Sequence, residues 1–382
     1  MRVQPLFWSD PDGWTAGHPE QAGEDLVLYF GARQALASGA RYHELREMFP
    51  GALVLGCSTG GQILDDDISD DRIAAVALGF GATRLKLACE SVTGQQQSRA
   101  CGTAIGRRLN ADDLAGIFVL SDGLNVNGSE LVAGISEAIG QSVPLTGGLA
   151  GDGARFRETL VGGDCAPRTH AVAAVGFYGA AVRIGHGSSG GWDVFGPRRR
   201  VTRSAGNVLF ELDGEPALDL YERYLGAEEA KGLPATALLF PLRVSDPGRP
   251  HSDVVRGVLA IDRKARSMTF AGDVPPGWTA RLMRGNFDHL AAAAAEAARR
   301  AAGGVAGAHG GGIAILVSCI ARRLLMGQRT TDELEAARTE LGPGLTRLGF
   351  YSYGEISPHG ASDVSELHNQ TMTVTTIAEA VE

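Results

Sequence analysis

Lysine is scarce in this sequence of 382 residues, and the scarcity bears on nucleotide binding. The lysines are Lys86, Lys231 and Lys264, and none follows a glycine in a G-K-[ST] setting. In a P-loop the lysine must reach the phosphates that the glycine-rich backbone surrounds, so a phosphate site of this kind is excluded. The sequence also has no convincing strand followed by G-x-G-x-x-G and a downstream acid, the common dinucleotide fingerprint.

Closely spaced cysteines and histidines are missing as well. The cysteines are odd in number, widely spaced and without a C-x-x-C pair: Cys57, Cys89, Cys101, Cys165 and Cys319. This pattern excludes a zinc knuckle and a covalently attached haem, and it indicates a reducing compartment. The histidines are dispersed and H-E-x-x-H is absent, so no metal-ligand spacing is found. Noncovalent haem b needs no spacing motif, so the sequence leaves this cofactor open.

The sequence lacks a run of about 18 apolar residues, the length that a membrane span requires. Its first residues, MRVQPLFWSDPDGW, contain neither the apolar core nor the cleavage site of a secretory signal. We therefore expect a cytoplasmic protein without a membrane span. The formal net charge of −9 argues against nucleic acid as a partner. The short basic run at 197–203 is interpreted as a solvated loop that leads into a strand.

Glycine, in contrast, is abundant, with 53 residues scattered along the chain. That is roughly twice the usual share of about 7%, and it indicates many tight turns and close backbone approaches. Between them, short apolar runs typical of buried strands alternate with helical patterns at 32–48, 95–109, 129–139 and 331–341. The order of elements recurs in the second half, where GFYSYGEI partly repeats GCSTGGQI.

These patterns predict a mixed α/β fold of two related domains that face each other across a cleft. Each domain is expected to be a mostly antiparallel or mixed β-sheet packed with helices. The predicted boundaries are an irregular N-terminal lead-in at 1–24, an N-terminal domain at 25–205, a C-terminal domain at 206–360 and a final strand or tail at 361–382. The turns at 56–61 and 352–355 are predicted to form opposite walls of the cleft.

Polar residues collect where several predicted strands end, and ligands of α/β proteins bind beyond such ends. Arg322, Glu355 and Asp122 are predicted to hold a small polar ligand by charge-assisted hydrogen bonds. Structural interpretations stay open: Asp122 as a turn or capping residue, Arg322 in a local ion pair, and Glu355 on the surface. The other candidates for the ligand site are Cys57, Ser58, Thr59, Ser121, Gly123, Gly147, Gly148, Asp152, Cys319, Tyr353, Asn369 and Thr371.

A thiol-dependent acyl transferase or hydrolase is the catalytic alternative. It would use Cys57 or Cys319, and it would need a helix N-terminus or a cation to lower the pKa of the thiol. Cys57 has the turn, but no helix is assured after it, and either cysteine is equally well explained as a small buried residue. The stretch GSSGG at 187–191 matches G-x-S-x-G, yet no helix follows it as a nucleophile elbow requires. We assign no catalytic residue.

Read together, these motifs resemble the FIST family of sensory proteins. In the first half the resemblance rests on LVLYFGA, FPGALVLGCSTGGQI, VLSDGLNVNGSEL and VPLTGGLAGDG. In the second half it rests on FPLRV, AGDVPPGW, VSCIARR, GFYSYGEISP and LHNQTMTV. One departure is Ala321, where the family pattern usually has glycine before the arginine.

The resemblance implies paired FIST N-terminal and C-terminal domains that bind a small ligand, for which amino acids have been suggested. Because no kinase or cyclase segment is recognised, output is expected to pass through a separate partner such as a histidine kinase. One branch of the family is similar to haem-containing nitric-oxide sensors, and for such a site His186 and His368 are the candidate axial ligands. A protein-interaction scaffold without a pocket is the remaining alternative.

Overall fold

The computed structural model describes residues 1–15, 23–233, 235–248, 253–307, 311–359 and 364–380. Its strands, numbered in chain order, are β1 (Arg2–Ser9), β2 (Gly13–Trp14), β3 (Leu26–Gly31), β4 (Leu53–Ser58), β5 (Gln62–Leu64), β6 (Asp67–Ser69), β7 (Ile73–Gly79), β8 (Arg84–Ser91), β9 (Leu114–Ser121), β10 (Leu145–Leu149), β11 (Val161–Gly163), β12 (Ala171–Tyr178), β13 (Val182–Ser189), β14 (Trp192–Ala205), β15 (Val208–Leu212), β16 (Glu215–Pro216), β17 (Leu242–Ser245), β18 (Val254–Arg256), β19 (Val258–Asp262), β20 (Ser267–Phe270), β21 (Thr279–Gly285), β22 (Gly312–Cys319), β23 (Leu345–Ser352), β24 (Gly354–His359), β25 (Val364–His368) and β26 (Met372–Glu379).

The α-helices are α1 (Arg33–Leu36), α2 (Ala40–Met48), α3 (Ser98–Leu109), α4 (Gly128–Ile139), α5 (Ala217–Leu225), α6 (Ala227–Lys231), α7 (Phe287–Gly304), α8 (Ile320–Met326) and α9 (Thr330–Leu341). Short 3-10 helices lie at Gln95–Gln97, Ala235–Leu239 and Gly327–Arg329. Within the described parts of the chain, none of these helices combines the length and the apolarity needed to cross a bilayer.

Three six-stranded sheets form the larger part of the molecule, which we call the body. Sheet 1 has the order β11-β4-β3-β7-β1-β2, sheet 2 the order β25-β24-β10-β9-β12-β8, and sheet 3 the order β13-β26-β22-β23-β5-β6. Phe30, Phe118 and Phe350 come from sheets 1, 2 and 3 and belong to one buried cluster. The rings of Phe30 and Phe350 are 4.5 Å apart. The central core of the body therefore lies where the inner faces of the three sheets meet.

Helices cover the outer faces of these sheets. The helices α1 and α2 pack on sheet 1 through Leu36 and Leu45, while α3 with α4 and α7 with α9 cover sheets 2 and 3. Strands β3 and β22 are buried along their whole length because they lie between the core and a helical layer. This double burial explains why their sequences are continuous apolar runs rather than alternating ones.

The same local order occurs in each body sheet: a buried strand, one or more helices, and a parallel neighbour. The parallel pairs are β3–β4, β9–β10 and β22–β23. Parallel neighbours need a crossover connection, and their carboxyl ends lie at one edge of the sheet. The polar residues Ser58, Ser121, Cys319 and Ser352 are the last residues of four of these strands.

The two halves of the chain exchange strands. From the first half, β5 pairs with β23 in sheet 3, and from the second half, β24 pairs with β10 in sheet 2. The stretch GCSTGGQI thus leads from β4 into β5, and GFYSYGEI leads from β23 into β24. The predicted mixed α/β fold with a two-part organisation is confirmed, and these exchanged strands interlock the parts.

Residues 192–285 form a further unit, which we call the small unit. It contains β14 to β21 with α5 and α6, and its main sheet has the order β18-β17-β21-β14-β15-β20-β19. It has its own buried cluster, to which Leu220, Leu242 and Phe270 belong. The predicted boundary between residues 205 and 206 falls in the β14–β15 hairpin of this unit; the domain boundaries stay a prediction.

Two observed elements differ from the expectations for the first half of the chain. Within the lead-in at 1–24, β1 is a regular strand that pairs antiparallel with β7 and buries Leu6; residues 16–22 lie outside the described residues. The helix expected at 32–48 is interrupted, because Gly39 has a left-handed φ of 73° between α1 and α2. Glycine tolerates this backbone conformation, and it resets the direction of the helix.

The second half shows two further differences. The basic run 197–203 was expected as a loop but lies inside the 14-residue strand β14, where Arg199 and Arg203 form ion pairs with Asp213 and Glu211. Of the predicted tail at 361–382, residues 361–363 and 381–382 lie outside the described residues. The rest contains β26, an interior strand between β13 and β22.

Candidate functional site

The strand ends that the sequence singled out meet inside the body. We call this region the polar junction; it comprises residues 58–61, 121–123, 149–153, 319–322, 351–355 and 369–371. Backbone hydrogen bonds join its segments: Gly151 N donates to Ser58 O over 2.9 Å, and Ala150 N donates to Ser121 O over 2.8 Å. Most of the candidate residues therefore belong to one continuous network, with Gly147 and Gly148 in β10 just before it.

The two turns predicted to face each other are in direct contact. Gly60 N donates to Tyr351 O over 2.7 Å, and Tyr351 N donates to Gly61 O over 2.9 Å. The first turn thus lies against Tyr351, the residue just before the second turn. A cleft between them stays a proposal, because the two backbones here hydrogen-bond directly.

Buried serine and threonine hydroxyls of the junction bind neighbouring backbone. Ser58 Oγ accepts from Leu160 N over 2.8 Å, and Thr59 Oγ1 accepts from Gly61 N over 3.2 Å. Ser121 Oγ donates to Asp122 O. These contacts satisfy buried polar groups and fix the turns after the strands.

Asp122 is a fully buried carboxylate held by donors from three loops. Its Oδ1 accepts from Leu124 N at 2.8 Å, Asn125 N at 3.0 Å and Thr159 Oγ1 at 2.8 Å. Its Oδ2 accepts from Asn125 Nδ2 at 3.0 Å and His170 N at 2.7 Å. Burial alone would raise the pKa of Asp122, but these hydrogen bonds hold it below its ordinary value.

Asp152 organises the loop after β10 in a similar way. Its carboxylate accepts from the backbone N–H groups of Phe156, Arg157 and Glu158, and the Tyr353 hydroxyl donates to it. Burial and this contact raise the pKa of Tyr353, so the phenol stays protonated. The ring of Phe156 stacks on Tyr353 with centroids 4.4 Å apart.

Arg322 forms a buried ion pair with Glu333 of α9. The Nη2–Oε2 distance is 2.9 Å, and neither side chain is exposed. The guanidinium also donates to Gly190 O at 2.6 Å and to Leu290 O at 2.9 Å. Arg322 is therefore engaged by protein groups, which agrees with the local-pairing interpretation rather than with a free ligand-binding cation.

Glu355 is a buried carboxylate without a direct ion pair among the described residues. Its Oε1 accepts from Ser352 Oγ at 2.6 Å, and its Oε2 accepts from Thr371 N at 3.1 Å and Thr371 Oγ1 at 2.9 Å. Burial raises the pKa of Glu355 to about 7, against these hydrogen bonds and the charge of Arg322, which lower it. This group titrates near neutral pH at the point where β24 meets the loop before β26.

The raised pKa of Glu355 makes stability depend on pH in a defined window. Between about pH 4.5 and 7 the folded protein keeps a proton that the unfolded chain releases, so the free energy of unfolding falls as pH rises. From the size of the shift we expect a loss on the order of 3 kcal/mol across this window. The Glu355→Gln variant should show little of this pH-dependent loss of stability. Urea unfolding of variant and wild type at pH 4.5, 5.5, 6.5 and 7.5 measures it. Parallel stability profiles for the two proteins would contradict the assignment to Glu355.

The cysteines of the junction region are buried thiols. Burial raises the pKa of Cys57 well above its ordinary value. Burial, with the nearby Glu355 carboxylate, also raises the pKa of Cys319. A reactive cysteine requires a lowered pKa and access to a substrate, so neither thiol has the properties of a nucleophile.

Glycine is required where two junction strands touch. A Cβ on Gly147, whose φ is 138°, would lie 1.9 Å from Val119 O, and one on Gly123 would lie 2.0 Å from Ala150 O. A Cβ on Gly148 would lie 2.7 Å from the side-chain Cγ1 of Val317, and Gly148 pairs with Glu355 across β10 and β24. These glycines permit close backbone approach, which accounts for their place in the candidate motif.

The two histidines proposed as axial haem ligands lie in different sheets, His186 in β13 of sheet 3 and His368 in β25 of sheet 2. His186 pairs with Thr375 in the β13–β26 ladder, whereas His368 pairs with Glu355. His368 is buried, and its Nε2 is 3.0 Å from Ser357 O. Neither residue lines the two cavities described below, and haem binding through either of them stays a prediction. Among the described residues, no cluster of histidine, cysteine and carboxylate side chains suits a metal ion.

A cavity of about 130 Å³ lies beside the junction, between the body and the small unit. Of the sequence-predicted residues, Gly123 and Tyr353 line it. The full lining is Gln95, Gly123, Leu124, Val126, Asn127, Leu149, Phe156 and Tyr353 from the body, and Asn207, Leu259, Phe270, Ala271 and Gly272 from the small unit. An apolar lining with a few convergent polar groups is typical of a small-molecule site.

Two buried side-chain amides with unpaired atoms lie in the loop between β25 and β26, outside the lining of this cavity. Asn369 is 2% exposed and Gln370 1% exposed. Both polar atoms of the Asn369 side chain, and Oε1 of Gln370, have no hydrogen-bond partner among the described residues. Buried polar groups in native proteins are nearly always satisfied by protein, water or ligand, so these atoms indicate a place for a polar ligand or water.

A second groove of about 320 Å³ is also lined by both units. It contains Arg256, which donates to Asp273 O and Leu367 O and whose pKa burial lowers to about 10. Asp273 and Glu366 also line this groove, and their negative charges raise the pKa of Arg256 against the effect of burial. The guanidinium is therefore balanced by protein groups.

Several residues of the site were not found from the sequence. Phe156, Asn127 and Gln370 lie in loops, where no periodicity marks a functional side chain. Gln370 lies between the candidates Asn369 and Thr371 in the motif HNQT, so its place in that motif could have marked it as a candidate. Glu333 lies in the polar helix α9, and its sequence pattern does not reveal that it points to a buried arginine.

The fold and the site define a two-unit mixed α/β protein with a cavity at the boundary, an arrangement typical of ligand-binding proteins. Comparison with models of known protein families matches residues 25–215 to the FIST N domain and residues 217–358 to the FIST C domain. The chain therefore belongs to the FIST family, whose domains are sensory domains of signal transduction. A search among curated proteins finds no match.

Proposed function

We propose that this protein is a cytoplasmic sensor that binds a small molecule between the body and the small unit. The signal then passes to a separate partner, such as a histidine kinase. The observation that carries the proposal is the cavity of about 130 Å³, because both units contribute to its wall and two residues of the family motifs, Gly123 and Tyr353, line it. Membership of a sensory family supports the same class of function.

Hydrogen bonds between the body and the small unit, one of them from the cavity residue Asn127, give a ligand a route to affect both units. Asn127 Nδ2 donates to Asp273 Oδ1 over 3.1 Å, and Gln370 Nε2 donates to Leu238 O over 3.0 Å. Trp192 Nε1 donates to Gln370 O over 2.6 Å. A ligand can shift the arrangement of two units only through contacts that differ between arrangements, and a molecule at their boundary makes such contacts.

The haem-based and enzymatic alternatives have less support. His186 and His368 are not placed around a common cavity, and burial raises the pKa of both candidate thiols. An absorption spectrum of the purified protein tests the haem alternative directly, since a Soret band would favour it.

Filling the cavity should abolish ligand binding. Ala271 lines it from the small unit, so Ala271→Phe is expected to occupy the space that a ligand needs. Native mass spectrometry of the purified wild type should show a small bound mass that this variant lacks. Leu324→Ala is the matched control, because Leu324 is 45% exposed on α8 and does not line the cavity. Equal ligand occupancy in wild type and Ala271→Phe would contradict the proposed site.

A further inference from the structure

A short loop, residues 369–371, connects the body to the small unit. It lies between β25 and β26 of the body, and the backbone carbonyl of Gln370 accepts from Trp192 Nε1 over 2.6 Å. The side chain of Gln370 donates from Nε2 to Leu238 O over 3.0 Å. Because Trp192 and Leu238 both belong to the small unit, this loop holds two separate segments of that unit.

The 369–371 loop has an unfavourable conformation. Gln370 has a φ of 67°, in the left-handed region that a residue other than glycine adopts only at a cost in free energy. Oε1 of Gln370 and both polar atoms of the Asn369 side chain are buried without a hydrogen-bond partner among the described residues. Water would reach these atoms if the loop moved outward, so the observed conformation depends on contacts that hold the loop in place.

Glu355 provides such a contact from the body. Its Oε2 accepts from Thr371 N over 3.1 Å and from Thr371 Oγ1 over 2.9 Å, while its Oε1 lies 2.6 Å from Ser352 Oγ. A neutral carboxylic acid fits this arrangement, because a proton on Oε1 can be donated to Ser352 Oγ while Oε2 still accepts from Thr371. The loop can therefore be held by the uncharged form of Glu355.

The ionised form of Glu355 is poorly compensated. The titratable or charged side chains packed around it are those of Cys319 at the end of β22, Arg322 of α8 and His368, its register partner on β25. The register partner on β10 is Gly148, which has no side chain. Burial raises the pKa of Glu355, and the Arg322 charge, already engaged by protein groups, offsets this only in part.

We propose that Glu355 makes the attachment of the small unit depend on pH: its neutral form holds the 369–371 loop in place, and its ionisation releases the loop. A rise in pH through neutrality therefore loosens one connection between the two units. Other hydrogen bonds between them, such as that from Arg256 to Leu367 O, do not involve Glu355. The proposal concerns the loop and its contacts, so it does not require a ligand in the cavity.

The size of the effect follows from two pKa values. The pKa of buried Glu355 is about 7, whereas a hydrated carboxylate beside a displaced loop has the ordinary value of about 4.5. The bound loop keeps a proton that the displaced loop releases, so its advantage is complete below about pH 4.5 and is lost as the pH rises through 7. The ratio of displaced to bound loop should therefore rise by about twentyfold between pH 5.5 and 7.5.

Hydrogen exchange of the full chain, followed by NMR, tests this proposal. The measured quantity is the opening constant of a group, which is its exchange rate divided by the intrinsic rate at the same pH. We expect the opening constants of Thr371 N–H and Trp192 Nε1–H to rise together by about twentyfold between pH 5.5 and 7.5. Both should exceed the opening constant of Ile315 N–H, which lies in the interior strand β22 and exchanges only through global unfolding.

Variants assign the effect to one carboxyl group. Glu355→Gln resembles the neutral acid in shape and hydrogen bonding, and it should keep both opening constants nearly independent of pH. Glu335→Gln is the matched control on the exposed face of α9, and it should behave like wild type.

Two results would overturn the proposal. Equal opening constants for Thr371 and Ile315 in wild type would show that the loop opens only when the whole protein unfolds, whether or not Glu355→Gln folds. An undiminished pH response in Glu355→Gln would show that another group, such as His368, controls the loop.

Discussion

Arg322→Met is expected to lower the free energy of unfolding by about 3 to 5 kcal/mol, the usual cost of removing one partner from a buried ion pair. The variant leaves the Glu333 carboxylate fully buried, and among the described residues the hydroxyls of Ser318 and Tyr351 are its remaining donors. It also leaves the carbonyls of Gly190 and Leu290 without their donor. Urea unfolding at pH 7 measures the loss.

A second substitution separates the charge from the packing. Glu333→Gln in the Arg322→Met background removes the unpaired charge, and it should restore about half of the lost stability, whereas Glu333→Gln alone should destabilise the protein. Arg329→Met is the matched surface control. Its ion pairs with Asp288 and Asp332 are exposed, and we expect a loss of at most about 1 kcal/mol. A loss from Arg322→Met as small as that of the control would show that the pair does not stabilise the fold.

The position of Arg322 illustrates how far the sequence predicts this site. The apolar run of β22 followed by a polar end was recognisable, because a strand buried on both faces needs continuous apolar residues. The identity of its partner was not, since Glu333 lies on a different helix and the contact depends on how α8 and α9 fold back. Local sequence patterns predict the strand and the polar residues at its end, but they do not predict which distant residue pairs with them.

The strand exchange between the halves was also beyond local patterns. The similarity of GCSTGGQI and GFYSYGEI indicated related turns, and the turns do touch. Long-range pairing decides that β5 joins the sheet of β23 and that β24 joins the sheet of β10. These strands have three and six residues, and so short a strand does not encode its partner in its own periodicity. The basic strand β14 was missed for a related reason, because its Arg199 and Arg203 are stabilised by partners across the sheet rather than by burial.

The cavity shows the same limit at the level of function. Gly123 and Tyr353 could be selected from strand ends, but the opposite wall comes from the small unit, whose Asn207 and Ala271 belong to no recognised motif. The predicted ligand residues Asp122, Arg322 and Glu355 instead have protein partners. The junction they form places the body wall, and the ligand site that we propose lies one layer further out.

Asp122→Asn should also lower the free energy of unfolding by several kcal/mol, because it disrupts hydrogen bonds to the Asp122 carboxylate. The substitution keeps the shape of the side chain but replaces one acceptor oxygen with an NH₂ group. In one amide orientation this group faces Asn125 Nδ2 and His170 N; in the other it faces Leu124 N, Asn125 N and Thr159 Oγ1. At least two partly buried donors lose their acceptor in either case, at about 1 to 3 kcal/mol each when fully desolvated, so we expect a loss of about 2 to 4 kcal/mol.

Thr159→Val is the matched partial variant for this network. It removes the hydroxyl that donates to Asp122 Oδ1 over 2.8 Å and accepts from Gly123 N over 3.0 Å, so we expect a loss of about 1 to 2 kcal/mol. Urea unfolding of both variants at pH 7 gives the comparison. Because Asp122 holds Leu124 and Asn125, which lead into Asn127 at the cavity wall, Asp122→Asn should also weaken ligand binding, whereas Thr159→Val should weaken it less. An Asp122→Asn variant with the stability of wild type would show that the loops are held by other contacts, and that this carboxylate does not position the wall.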